Sequence, residues 1–219
     1  SNLPLGSGIS SSSALICGLI KGLNDLFKLK ISNHEMINIS QKVEHNFIGV
    51  KGGIMDQFAI FFGKKDKIIL LNCDTLNLKM IDSKFSPYKF LLLNTNVNHK
   101  LSSSDYNRRV KECESALKKI KIENKKLSCL ANAPEDYIIK NEPLFTKNEF
   151  KRALYVSQEN QRVLKSTKLL KTSNFVDFGK LMYKSHEGLK NLYEVSCKEL
   201  DFLVDYSKKY KYVLGSRMM

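Results

Sequence analysis

The chain has 219 residues, 42% hydrophobic and 26% charged, with a formal net charge of +14, enough for one sizeable core or two modest ones. No apolar run approaches the roughly 18–20 residues that a bilayer span needs, and no charged–apolar–small signal pattern opens the chain. Its five cysteines are odd in number and lack a C-x-x-C pair, which excludes a disulfide framework or a cysteine zinc site and suits a reducing, cytoplasmic setting.

Residues 4–14 read Pro4-Leu5-Gly6-Ser7-Gly8-Ile9-Ser10-Ser11-Ser12-Ser13-Ala14. The glycines permit positive φ and close backbone approach to a ligand. The apolar run behind them (Ala14, Leu15, Ile16, Cys17, Leu19, Ile20) predicts a buried helix over 12–27. A Gly/Ser loop feeding a helix N-terminus aims free N–H groups and the positive dipole end at one point, which favours phosphate. A plain turn or N-cap is the commoner use of such a loop. No lysine stands directly before the Ser/Thr, so the Walker pattern is excluded.

A second helical pattern runs from Ser32 to Phe47, with Met36, Ile37, Ile39, Val43 and Phe47 as its apolar members. The Gly52-Gly53 pair then turns the chain, and a short helix is expected around Asp56 to Phe61. Gly63 to Asp66 reads as a turn; Lys67–Cys73, Leu76–Ile81 and Tyr88–Asn94 read as strands. Beyond Asp105 the pattern is mostly helical (105–122, 147–170, 174–187, 197–209), with a last strand over 210–216. Residues 1–78 balance to a charge of +2 and residues 79–219 to +12. The excess is lysine along helical segments, which reads as solvated surface. Without aromatic interleaving it offers no nucleic-acid platform.

Residues 44–58 carry a second motif, from Glu44-His45-Asn46 through Gly52-Gly53-Ile54-Met55-Asp56-Gln57-Phe58. A capping Asp and a solvated Glu are the plain alternative here. Together with the Pro-x-Gly-x-Gly-Ile-Ser-Ser-Ser pattern, however, the string resembles the galactokinases of the GHMP small-molecule kinase superfamily. Further similar segments are Asn94 to Arg109, Glu159 to Arg162, Gly179 to His186, Tyr193 to Asp201 and Gly215 to Met218, so the resemblance covers essentially the whole chain.

That resemblance implies an α+β, two-domain GHMP kinase fold. Residues 1–78 would form the latter part of a nucleotide- and sugar-binding domain, and residues 79–219 a ferredoxin-like second domain. It implies in-line transfer of the ATP γ-phosphoryl to the anomeric hydroxyl of galactose, with N-acetylgalactosamine kinase or a non-catalytic sugar and ATP sensor as alternatives. Gly6, Ser7, Gly8, Ile9, Ser10, Ser11 and Ser12 would cradle phosphates, and Ser12 and Glu44 would hold Mg²⁺. Asp56 would take the hydroxyl proton, and Gly53, Asp56 and Tyr106 would meet the sugar. His45 and His99 are expected to make structural hydrogen bonds. The expected partners are galactose and ATP, with no nucleic acid and no membrane, and a monomer.

Family features normally preceding Ser1, which anchor the sugar and supply an arginine, have no counterpart here, and neither does a closing glycine-rich loop after Met219. An internal portion of a longer kinase is therefore expected. The 219 residues alone are expected to be inactive, with helix faces in residues 1–78 short of a sheet to cover them. Gly52 where a Cys is common, Asn98 where a base often stands, and Tyr155 in place of a His are smaller departures.

Overall fold

A computed structural model describes residues 2–3, 8–97 and 103–219, with the backbone alone for 103–106. Eight α-helices and two strands are formed among these residues. Contacts divide the chain into two units. The first is Ser1–Asp82 with Asn96–Asn107 and Met219; the second is Ser83–Thr95 with Arg108–Met218.

In the first unit, α1 (Ser11–Leu26), α2 (Asn33–Val43) and α3 (Met55–Phe62) pack on one another. The chain turns between α1 and α2 around buried Asn24, whose Oδ1 accepts from the Ile31 N–H (2.9 Å) and whose Nδ2 donates to the Ile31 carbonyl (3.3 Å). A capping box starts α2: the Glu35 N–H donates to Ser32 Oγ, and the Ser32 N–H donates to Glu35 Oε2. Cys17, Met36, Ile37 and Phe58 are the buried apolar centre, and His34 and Phe62 pack on the Phe58 ring. After the turn at Gly63, β1 (Lys67–Leu71) and β2 (Leu78–Asp82) form an antiparallel hairpin with Ile69 opposite Met80.

The buried face of α1 differs from the one its apolar run predicts. Ser13, Cys17 and Asn24 point inward, while Leu15 (59% exposed) and Leu19 (63%) point out. On a 3.6-residue period the leucines at 15, 19, 23 and 26 share the face opposite the small polar residues. The small side chains let α1 lie close to its neighbours, and the leucine stripe is left open.

In the second unit, α4 (Ser103–Glu123, from Arg108 onward), α5 (Glu135–Lys140) and α6 (Lys147–Lys171) enclose a core of Ala116, Ile120, Leu127, Leu130, Ala133, Ile138 and Ala153. Thr146 and Glu149 make a second capping box at the start of α6. Then come α7 (Phe175–Gly188), a π-helical turn (Leu189–Tyr193) and α8 (Lys198–Ser207). Arg152 is fully buried: Nε donates to Glu112 (2.7 Å), Nη2 to Glu194 (2.7 Å) and Nη1 to the Leu192 carbonyl. Arg109 takes the next two carbonyls, Tyr193 (2.8 Å) and Glu194 (3.0 Å). Two guanidinium forks thus satisfy the carbonyls where the π-turn ends and Glu194 turns left-handed (φ 56°).

Two expected strands are absent among the described residues. Residues 88–94 and 210–216 join no ladder; the sheet holds β1 and β2 alone. Their apolar composition suits a strand, but a strand also needs to pair along its length with a neighbour's N–H and C=O groups, and no such ladder forms among the described residues. Phe90 to Leu93 are instead 59–79% exposed. Segment 214–218 lies along α7, where a Cβ on Gly179 would fall 2.1 Å from the Leu214 carbonyl oxygen. Buried His186 accepts the Met218 N–H at Nδ1 (3.3 Å).

Candidate active site

The predicted residues that the structure describes lie in the first unit, around the N-terminus of α1, the end of α2 and the start of α3. Gly8 (φ 70°) and Ser10 (φ 58°) are both left-handed, which is strained for the serine. Ser10 caps α1 through its carbonyl, which accepts from the Ala14 N–H, and its side chain makes no capping bond. A helix N-terminus of this kind directs N–H groups and the positive dipole end at an anion. Gly6 and Ser7 lie outside the described residues.

Glu44 opens a π-helical turn (Glu44–Ile48) at the end of α2 and is 7% exposed. Buried Ser13 donates its Oγ–H to Glu44 Oε1 at 2.5 Å, and Gln57 donates from Nε2 to Oε2 at 2.8 Å. One carboxylate therefore ties the helix behind the Gly/Ser loop to the helix that carries Asp56. Ser12, the predicted partner of Glu44, stands one residue before Ser13 with its side chain exposed. Asp56 lies half-buried in the first turn of α3, where the dipole favours a carboxylate.

Cys17 senses both acids. Its fully buried thiol sits 3.2 Å from Ser40 Oγ, and burial, followed by the charges of Glu44 and Asp56, pushes its pKa up against the pull of Ser40. It stays a neutral thiol and is no nucleophile.

The loop after α2 is fastened from several sides. His45 Nε2 and Gln41 Nε2 reach the Gly52 carbonyl at 2.8 and 3.4 Å, so the His45 tautomer is Nε2–H, a structural role as expected. Asn107 donates to the Gly49 carbonyl (3.2 Å) and accepts the Lys51 N–H (3.2 Å). A Cβ on Gly52 would lie 3.6 Å from Glu44 Oε2, while exposed Gly53 has open space where its Cβ would be. The backbone of Tyr106 is in the first turn of α4 and its side chain lies outside the described residues, as does His99.

Ser13, Gln57 and Asn107 were not singled out as site residues from the sequence. Each sits next to a predicted one (Ser12, Asp56, Tyr106), and adjacency was the available signal. The donor set consists of a buried carboxylate, hydroxyls and an amide. Gln57 Oε1 is buried without a hydrogen-bond partner among the described residues. Such hard, partly unsatisfied oxygens fit Mg²⁺, and two bonds leave the carboxylate free lone pairs.

Residues 1–64 match the family described as the GHMP kinases N terminal domain. Over all 219 residues the chain is 43% identical to the galactokinase of Thermotoga maritima. Its similarity is thus to the GHMP kinases over residues 1–64 and to galactokinases over its whole length. The galactokinase of Lactobacillus helveticus is 41% identical over 225 aligned residues. The crystal structure of Lactococcus lactis galactokinase complexed with galactose superposes with a TM-score of 0.95 at 36% identity, covering 100% of this chain and 56% of that one. The α+β GHMP kinase fold is therefore present. The chain spans 60% of the Thermotoga relative and 56% of the Lactobacillus one. No helix among the described residues is long and apolar enough to cross a membrane.

Proposed function

We propose that the protein carrying this chain is a galactokinase, moving the γ-phosphoryl of ATP onto the anomeric hydroxyl of galactose. The observation that carries the reading is the Ser13–Glu44–Gln57 contact, which gathers the anion-favouring helix end, a metal-competent carboxylate and the Asp56 helix at one place. The galactokinase relatives, alike over the whole chain, support the choice of sugar.

The backbone N–H groups of Gly6 to Ser12 cradle the β- and γ-phosphates. Ser12 and Glu44 would hold Mg²⁺, which neutralises phosphate charge when bound. Asp56 accepts the proton of the anomeric hydroxyl as its oxygen bonds to the γ-phosphorus. The bond to the β,γ-bridging oxygen breaks, leaving ADP and galactose 1-phosphate. Gly53 leaves room for the sugar ring and Tyr106 hydrogen-bonds it. Most of the acceleration comes from positioning and charge neutralisation. Residues 1–78 would serve as the nucleotide- and sugar-binding half and 79–219 as the ferredoxin-like domain of a cytoplasmic monomer, although β2 pairs with β1 in the first unit and the described residues beyond it form no ladder.

The test uses the full reading frame that carries this chain, with ADP release followed on galactose and on N-acetylgalactosamine. Asp56→Asn should lower kcat by roughly two to four decades with ATP affinity little changed. Wild-type protein that binds sugar and ATP without turnover would make it a sensor. Turnover of N-acetylgalactosamine alone would correct the substrate.

A further inference from the structure

Gln57 is completely buried, directly follows Asp56, and serves no step of the proposed reaction. Its Nε2 donates to Glu44 Oε2 at 2.8 Å, while Oε1 has no hydrogen-bond partner among the described residues. The amide cannot be turned to relieve this. A carboxylate only accepts, so a flipped Gln57 would set its oxygen against the Glu44 oxygen. The unpaired Oε1 is therefore forced by the bond to Glu44.

An orphaned buried acceptor leaves its desolvation uncompensated. A residue needed here only for filling would be better as methionine, which has a similar volume and no such penalty. What the amide adds is the donor to Glu44. Ser13 donates to the other oxygen from α1, so two bonds from two helices fix the orientation of the carboxylate.

We infer that Gln57 is a positioning residue: Nε2 holds Glu44, and Oε1 receives an O–H donor that arrives with the ligand. That donor is either a water in the shell of a divalent cation or a hydroxyl of the sugar. The inference rests on the galactokinase reading above.

Gln57→Met, in the full reading frame, keeps the volume and removes both bonds. Mn²⁺ binding with ADP present is followed by electron paramagnetic resonance, galactose binding by calorimetry, and folding by thermal melting. The Mn²⁺ Kd should rise tenfold or more, the scale of losing a group that orients a metal ligand. A rise for Mn²⁺ alone assigns the donor to the cation's water, and a parallel rise in the galactose Kd assigns it to the sugar. An unchanged Mn²⁺ Kd overturns the inference, whatever happens to the melting temperature. If Gln57→Met does not fold, Ser13→Ala removes the companion donor at the cost of one oxygen. A weakened Mn²⁺ complex there supports the clamp, and unchanged affinity overturns it. Wild-type protein that binds neither Mn²⁺–ADP nor galactose would sink the galactokinase reading itself. Wild-type binding matched by both variants would sink only the role of Gln57.

Discussion

Glu149 collects donors from three sides: Ser115 Oγ (2.5 Å), Lys119 Nζ (2.6 Å) and the Thr146 N–H (2.7 Å). Burial alone would raise its pKa, but Lys119, Ser115 and Thr146 together hold the carboxyl at about 2, below its ordinary 4.5. A depressed carboxyl pKa stabilises the fold above the unfolded value and loses that contribution as pH falls toward the folded one. The contribution is on the order of 2–3 kcal/mol. Melting temperature should therefore fall between pH 4.5 and 2, and Glu149→Gln should flatten that slope while lowering stability at pH 7. A variant with the wild-type acid limb would place the effect elsewhere. Single residues were also where the sequence was least legible. Glu44 and Asp56 stood out by motif, whereas the donors around Glu44 depend on how three helices meet, and no spacing along the chain encodes that.

The glycines divide sharply between elements. Gly179 in α7 and Gly215 cross backbone to backbone; a Cβ on Gly215 would fall 2.3 Å from the Gly179 carbonyl oxygen. Gly179→Ala should therefore force segment 213–216 off α7 and cost about 2 kcal/mol or more, the range of overpacking against atoms that cannot yield. Gly22, inside α1, has nothing within 4 Å of its would-be Cβ. Gly22→Ala should stabilise by roughly 0.5–1 kcal/mol through helix propensity. Chemical denaturation of both variants tests the pair, and equal effects would contradict the packing described for α7. Most helices were legible as elements because each presents a 3.6-residue period or a capping pair, such as Ser32/Glu35 and Thr146/Glu149. The short α5 and the π-turns at 44–48 and 189–193 were not. The turn at 189–193 ends where Arg152 and Arg109 take the carbonyls of Leu192, Tyr193 and Glu194, a demand that comes from distant residues.

Across the whole molecule, surface chemistry is uneven. Leu15, Leu19, Leu23, Leu26 and Phe27 line one exposed stripe, and Phe47 (85% exposed) and Phe90 to Leu93 add to the apolar surface. Stretches of this kind bind apolar dyes and self-associate. The 219-residue chain on its own should enhance the fluorescence of such a dye and sediment as species larger than 25.1 kDa. Leu19→Glu with Leu23→Glu should reduce both signals without unfolding α1, since neither leucine is buried. A monodisperse, dye-silent chain would contradict the stripe's exposure. The need for a cover over the first helices was legible in the sequence as helix faces outnumbering strands. Which residues of α1 face inward was not, because hydrophobicity favoured the leucines and close approach selected Ser13 and Cys17.

The fastening of the loop at Gly49–Gly52 has a kinetic consequence. His45 lies only 7 residues from Gly52, so that bond closes a small ring, whereas Asn107 reaches Lys51 and Gly49 across 56 and 58 residues. Closing the longer span sacrifices more chain entropy, and its two bonds are the ones heat or denaturant releases first. The loop then stays attached at one end, like a door on its remaining hinge. In native-state hydrogen exchange, the Lys51 amide should open at lower denaturant than the amides of α2, and Asn107→Ala should bring that opening forward while leaving α2 unchanged.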